Sequence, residues 1–226
     1  MNYFIINKIE KILCYKFKKK KLLIKALTHR SASNKNNEKL EFLGDSVLNF
    51  IISSEIYKKF SFSNEGNMSR IRSQLIKGKT LTKIANKFNL GKFLKLGQGE
   101  LNSGGKKKKS ILENTLEALI GSIFLDSNIK KTKKIILKWY KKKIKKINIK
   151  KIKKDPKTRL QEYLQSKHLP LPSYLIVQVY GKPHKQYFTI NCSIKGIIKN
   201  LIGIGSNKRK AEQNSAQLTL IKLGIK

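Results

Sequence analysis

The hydrophobic period of this 226-residue chain changes once, near residue 148. Before that point, apolar residues recur three and four positions apart. Leu40, Leu43, Val47, Phe50 and Ile51 form one such series, and Leu112, Leu116, Leu119 and Ile123 another. That is the spacing of helices burying one side. Later the period shortens to two: Phe188, Ile190, Cys192 and Ile194 alternate with polar neighbours, as a strand with one buried face requires. Residues 173–180 and 197–204 read as two more strands, and 158–166 and 207–223 as flanking helices. The expected architecture is therefore multidomain. An all-α domain over 1–148 is followed by a linker over 149–156, ending in Asp155-Pro156, and by a small α+β domain of order α-β-β-β-α over 157–226. Residues 101–109 read as a loop, and Ser110 with Glu113 three positions on reads as a capping box opening a helix.

Lys and Arg total 51 against 13 Asp and Glu, a formal charge of +38. A chain so charged repels itself and is suited to a polyanion, with nucleic acid first and an anionic membrane surface second. Only 5 of the 51 cations are Arg, a skew that drift in codon composition also produces. The charge thus indicates a class of partner and not a site. Cys14 and Cys192 stand alone, which argues against a zinc centre and a disulfide framework and points to a reducing compartment, the cytoplasm. No apolar run approaches the roughly 18 residues of a membrane span, and the first 21 residues lack a signal-peptide pattern. The basic segment 130–146 carries Ile136, Trp139, Tyr140 and Ile144 on one side; packing as a closing helix is preferred over lying on a membrane.

In so acid-poor a chain, Glu38, Glu41 and Asp45 fall within eight positions, on one face of a helix. Like charges stacked this way repel and raise one another's pKa. Either the many lysines solvate them, or a hard cation such as Mg²⁺ or Mn²⁺ sits among them. Glu113 and Glu117 form a second acidic pair one turn apart. If the two helices pack together, Glu41, Asp45 and Glu117 can converge on one ion. The adjoining Phe42-Leu43-Gly44 places this cluster near a core boundary, where an unpartnered carboxylate is costly.

The run from Asn37 to Leu48, NEKLEFLGDSVL, resembles the signature of the ribonuclease III family. Leu27-Thr28-His29-Arg30-Ser31, Gly97-Gln98-Gly99-Glu100-Leu101 and Glu117-Ala118-Leu119-Ile120-Gly121 resemble its other blocks, in the right order. The resemblance implies a helical nuclease domain and a double-stranded RNA-binding domain, acting as a homodimer. It implies Mg²⁺-dependent hydrolysis of duplex RNA, with Mn²⁺ able to substitute and no organic cofactor or membrane. Products would carry 5′ phosphates and 3′ hydroxyls, in processing of structured precursors such as ribosomal RNA. By that resemblance Glu41 and Glu117 are metal ligands, and Asp45 is a ligand or orients the attacking water. Glu38 and Glu65 match further family acids, and Glu100 matches another whose plain role is pairing with a lysine. Asn114 stands where many relatives carry Asp; its amide oxygen still suits Mg²⁺ but brings no charge. No protein nucleophile is required, in keeping with scattered His29, His168 and His184.

Duplex RNA is read by shape, through its minor groove and phosphates. The α-β-β-β-α half offers Thr158, Gln161 and Glu162 on its first helix and Pro183 and His184 in the first strand turn. Lys208, Arg209 and Lys210 open its last helix. These segments resemble the double-stranded RNA-binding domain. The rival readings are an RNA-binding protein that has lost cleavage, suggested by Asn114, and a basic ribosome-associated protein, which leaves the acids unexplained.

Overall fold

The computed structural model describes residues 3–147, 155–182 and 184–225. The chain divides into two compact units, Met1–Ile152 and Lys153–Lys226. The first is helical: α1 (Tyr3–Leu13), α2 (Lys20–Ala26), α3 (Glu38–Lys59), α4 (Glu65–Ile76), α5 (Gly78–Lys87), α6 (Gln98–Asn102), α7 (Lys109–Asp126) and α8 (Ile129–Lys145). α7 is apolar nearly all round and runs through the core, burying Leu112, Leu116, Ala118, Leu119, Ile120 and Ile123. Its main partner is α3, which buries Leu40, Val47, Leu48, Ile51, Ile52 and Ile56.

Two glycines set the distance between α3 and α7. A Cβ on Gly44 would lie 1.8 Å from the carbonyl oxygen of Glu117, and one on Gly121 would lie 2.2 Å from that of Leu40. The two backbones therefore meet at each other's glycine, with no room for a methyl group on either.

Buried acids tie the surrounding segments to this pair. Asp126, at the end of α7, accepts from the Tyr15 hydroxyl at 2.7 Å and from the backbone N–H groups of Lys18 and Lys19 at 2.8 Å each. These bonds hold its carboxyl below the usual carboxylate range against the opposing effect of burial, and burial with the Asp126 bond pushes the Tyr15 phenol up to about 12. On α8, Ile136, Trp139, Tyr140 and Ile144 are buried, so its apolar stripe closes the helical unit. No helix among the described residues is long and apolar enough to cross a membrane.

The second unit runs α9 (Pro156–Ser166), β1 (Ser173–Tyr180), β2 (Tyr187–Ile194), β3 (Ile198–Gly205) and α10 (Lys208–Lys222). The sheet is antiparallel in the order β1-β2-β3, with Ile176 opposite Ile190 and Ile190 opposite Gly203. The period-two face of β2 is inside: Cys192 and Ile194 pack with Leu160 and Leu164 of α9 and with Ala216 and Leu220 of α10.

Four local expectations change. Asp155 and Pro156, read as the end of a linker, open α9: Asp155 accepts from the N–H of Thr158 at 3.1 Å, and Pro156 takes the first helical position, where a missing N–H costs nothing. Residues 149–154 of that linker lie outside the described residues. The segment 101–109 is not all loop, since α6 runs to Asn102 and a 3₁₀ turn spans Gly105–Lys107. Ser110 caps nothing: α7 starts at Lys109, and the first turn has no side-chain cap because the helix begins before the serine. Phe50, read as part of the buried series of α3, is not inside, being 60% exposed.

Candidate active site

Because α3 and α7 touch at Gly44 and Gly121, the residues one turn away on each helix face each other. Glu38, Glu41 and Asp45 of α3 and Asn114 and Glu117 of α7 line one cleft of about 680 Å³, together with His29, Arg30, Glu100 and Lys108. The convergence anticipated for Glu41, Asp45 and Glu117 is thus present. Glu117 lies deepest of the carboxylates. Burial, then the charges of Asp45, Glu113 and Glu41, push its carboxyl up to about 8. Glu41 is raised above its ordinary value, first by burial and also by Glu38 and Glu113, against a hydrogen bond from the Asn114 amide and the charge of Arg30. Asp45 is exposed and accepts from the Asn49 amide at 2.9 Å. Glu38, also exposed, stands 3.6 Å from Arg30.

The remaining acids divide. Glu100 lines the cleft but is paired with Lys108 at 2.6 Å, which holds its carboxyl below the ordinary value. Glu65 does not reach the cleft. It opens α4, accepts from Ser69 at 2.7 Å and lines a separate groove with Phe50, Tyr57, Met68 and Arg72. His29 bonds to the Ser31 hydroxyl at 2.8 Å, tying the loop after α2 together. Sequence reasoning assigned no role to Arg30 or Lys108. Their signal was available, as cations within the blocks flanking the acids.

Among the described residues, no three His, Cys, Asp or Glu side chains are grouped so as to hold a metal ion. The donor chemistry around the cleft nonetheless suits one. Glu41, Asp45, Asn114 and Glu117 offer hard oxygens only, and the negative charge that raises Glu117 has no cation among its causes. A divalent, oxygen-preferring cation matches that unbalanced charge.

In the second unit, Thr158 and Gln161 of α9 share a groove with Lys208 and Arg209 of α10. The Thr158 hydroxyl donates to Asp155 at 2.8 Å. Asn207 caps α10 by accepting from the N–H of Lys210 at 2.9 Å, which leaves the basic side chains of Lys208, Arg209 and Lys210 exposed at the helix start. Glu162 is exposed on α9 and His184 is exposed after β1; Pro183 lies outside the described residues.

An acidic, oxygen-lined cleft between two helices, with an α-β-β-β-α unit following in the same chain, defines the class: a metal-dependent nuclease joined to a domain for duplex RNA. Comparison with known proteins agrees. Residues 19–144 match the family described as Ribonuclease-III-like, and residues 156–223 match the double-stranded RNA binding motif. A protein named Ribonuclease 3 from Buchnera aphidicola subsp. Baizongia pistaciae is 64% identical over 225 residues, covering 100% of both chains. The crystal structure of the nuclease domain of ribonuclease III from Campylobacter jejuni superposes with a TM-score of 0.61 at 44% identity, covering 66% of this chain and 100% of that one. A second structure of that domain, whose subject is flexibility in a region involved in dimer formation, gives 0.59 at 46% identity over 61% and 96%. The chain belongs to the ribonuclease III family and is an endoribonuclease acting on double-stranded RNA.

Proposed function

We propose that the cleft hydrolyses the phosphodiester backbone of duplex RNA with Mg²⁺, or Mn²⁺ in its place, leaving 5′-phosphate and 3′-hydroxyl ends. The observation that carries this is the half-buried carboxylate of Glu117, which shares one cleft with Glu41, Asp45 and Asn114 and is crowded by the charges of Asp45, Glu113 and Glu41. When bound, a divalent cation supplies water activation near neutral pH and offsets charge on the scissile phosphate. Glu41 and Glu117 would hold it from the two helices. Asp45, exposed in the cleft and steadied by Asn49, would hold it too or would accept a proton from the attacking water. The Asn114 amide beside Glu41 favours the charged carboxylate, and its side-chain oxygen would serve as a neutral ligand. The RNA is gripped by the domain over 157–226, through Thr158, Gln161, Glu162, Pro183, His184, Lys208, Arg209 and Lys210. Glu38, beside Arg30, is a further acid at the cleft.

The enzyme works as a homodimer in the cytoplasm, on structured precursors such as ribosomal RNA. A strip of α3 supports the dimer: Phe50 and Tyr57 are 60% and 70% exposed, and they line one groove together with Glu65. Pairing of two copies over that strip would bury these rings and carry Glu65 toward the partner copy. Lone, unpaired Cys14 and Cys192 suit a reducing compartment.

Labelled duplex RNA incubated with protein and Mg²⁺ tests the reading; discrete duplex-length products support it, and a gel shift without cutting overturns it in favour of a binding protein. Two variants refine the assignments. Changing Lys208 and Lys210 together to Glu should weaken duplex affinity and flatten its logarithmic dependence on salt, by up to about two in slope. An unchanged slope would remove that helix start from the RNA surface. Asn114→Asp, which adds a charge at an oxygen ligand, should lower the Mg²⁺ concentration for half-maximal rate, and an unchanged requirement would place Asn114 outside contact with the ion.

A further inference from the structure

Glu113 is not among the residues lining the cleft, yet it is electrically part of it. It lies one helical turn before Glu117, so the two carboxylates share a side of α7. Its own carboxylate lies over Gly78, the first residue of α5: a Cβ built there would stand 2.3 Å and 2.6 Å from its two oxygens. Glycine at this position leaves space for the carboxylate, and the positive end of the α5 dipole lies beside it. Among the described residues no side-chain hydrogen bond or ion pair holds Glu113, and burial raises its carboxyl above the ordinary value. Both Glu117 and Glu41 sense its charge.

The neighbouring position explains what such a charge is for. Affinity of a carboxylate site for a divalent cation rises with the negative charge around it. Asn114 contributes an oxygen and no charge. Glu113 cannot take the place of Asn114 in contact with an ion, because one residue turns about 100° round the helix. Electrostatic attraction needs no contact, and in a partly buried site it reaches across a helical turn with little screening.

We propose that Glu113 is a positioning residue for the cation, a carboxylate behind the ligands, given space by the gap at Gly78, that adds the attraction the neutral Asn114 does not supply. This rests on reading the cleft as a divalent-cation site. The side chain touches neither substrate nor ion; it acts through Glu41 and Glu117.

The test is calorimetric titration of the full-length protein with Mn²⁺ alone, without RNA, beside a thermal melt of the metal-free protein. Glu113→Gln keeps the shape and removes the charge. It is expected to weaken Mn²⁺ binding about tenfold, the size of effect expected of a group supporting the ligands from behind. The metal-free melt should not fall, since an unpaired, half-buried carboxylate has been neutralised. Adding Asn114→Asp to Glu113→Gln should return the affinity to near the starting value, since the charge is put back one position along. Unchanged Mn²⁺ affinity in Glu113→Gln overturns the proposal, as does a lowered melt with affinity intact, which would make Glu113 a structural neighbour of α5. Glu117→Gln separates the two levels: if it too binds Mn²⁺ like the unaltered protein, the cation-site reading itself fails.

Discussion

Glu117→Gln should reduce cleavage of duplex RNA by at least about a hundredfold while leaving duplex binding nearly unchanged. The amide has the size of the carboxylate, so the core around α7 is undisturbed. What disappears is the carboxyl farthest inside the cleft, the group that would hold the cation from α7, while the RNA grip lies in another part of the chain. The same substitution should stabilise the metal-free protein near neutral pH. In the folded chain the Glu117 carboxyl is pushed up to about 8 from its ordinary 4.5, first by burial. Between those values the unfolded chain gives up this proton and the folded chain keeps it. Stability contributed by this group is therefore full below about 4.5 and is lost as pH rises toward about 8. Glu117→Gln removes that slope, and a divalent cation added to the unaltered protein should offset it by binding the folded state. Melting curves across this pH window, with and without Mg²⁺, measure both effects. Loss of RNA binding in the variant, or an unchanged pH slope, would contradict the division of labour and the buried charge respectively.

Gly44→Ala should be the most damaging small substitution in the helical unit. On helix propensity alone it ought to stabilise α3 by about 0.5–1 kcal/mol. The added methyl would, however, sit 1.8 Å from the carbonyl oxygen of Glu117, a backbone atom that cannot rotate away. The helices must separate, and overpacking of this kind costs about 1–3 kcal/mol or more, a fall in Tm of several degrees. Separation also displaces Glu41 and Asp45 from Asn114 and Glu117. A shift of about 1 Å in such a constellation is enough for a hundredfold loss of rate. Thermal melts and cleavage assays should fall together. A Gly44→Ala protein that melts and cuts normally would show that the close approach of α3 and α7 is not what builds the cleft.

Much of this was legible in one dimension because it depends on local periodicity. The three-and-four spacing of Leu112, Leu116, Leu119 and Ile123 required a buried helix, and α7 is one. The alternation of Phe188, Ile190, Cys192 and Ile194 required a half-buried strand, and β2 has that face inside. Helix ends were less legible, since caps depend on single residues. Asp155-Pro156 carries the signature of a helix start as clearly as that of a linker's end, and Ser110 carried a cap signature inside a helix already begun.

By itself, the sequence determined which residues had the chemistry: hard oxygen donors at helical spacing on two segments, a basic helix start after a period-two region, and blocks that resemble one family. What only the tertiary structure decided was which of those donors meet. Glu41, Asp45, Asn114 and Glu117 share a cleft because Gly44 and Gly121 let two backbones touch, while Glu65, an acid of the same kind, faces another groove. Glu113, one turn from Glu117 on α7, lies over Gly78 of α5 and outside the cleft lining. The physical reason is range: periodicity is set by bonds within a few residues of one another, whereas charge and steric fit act through space between segments some seventy positions apart.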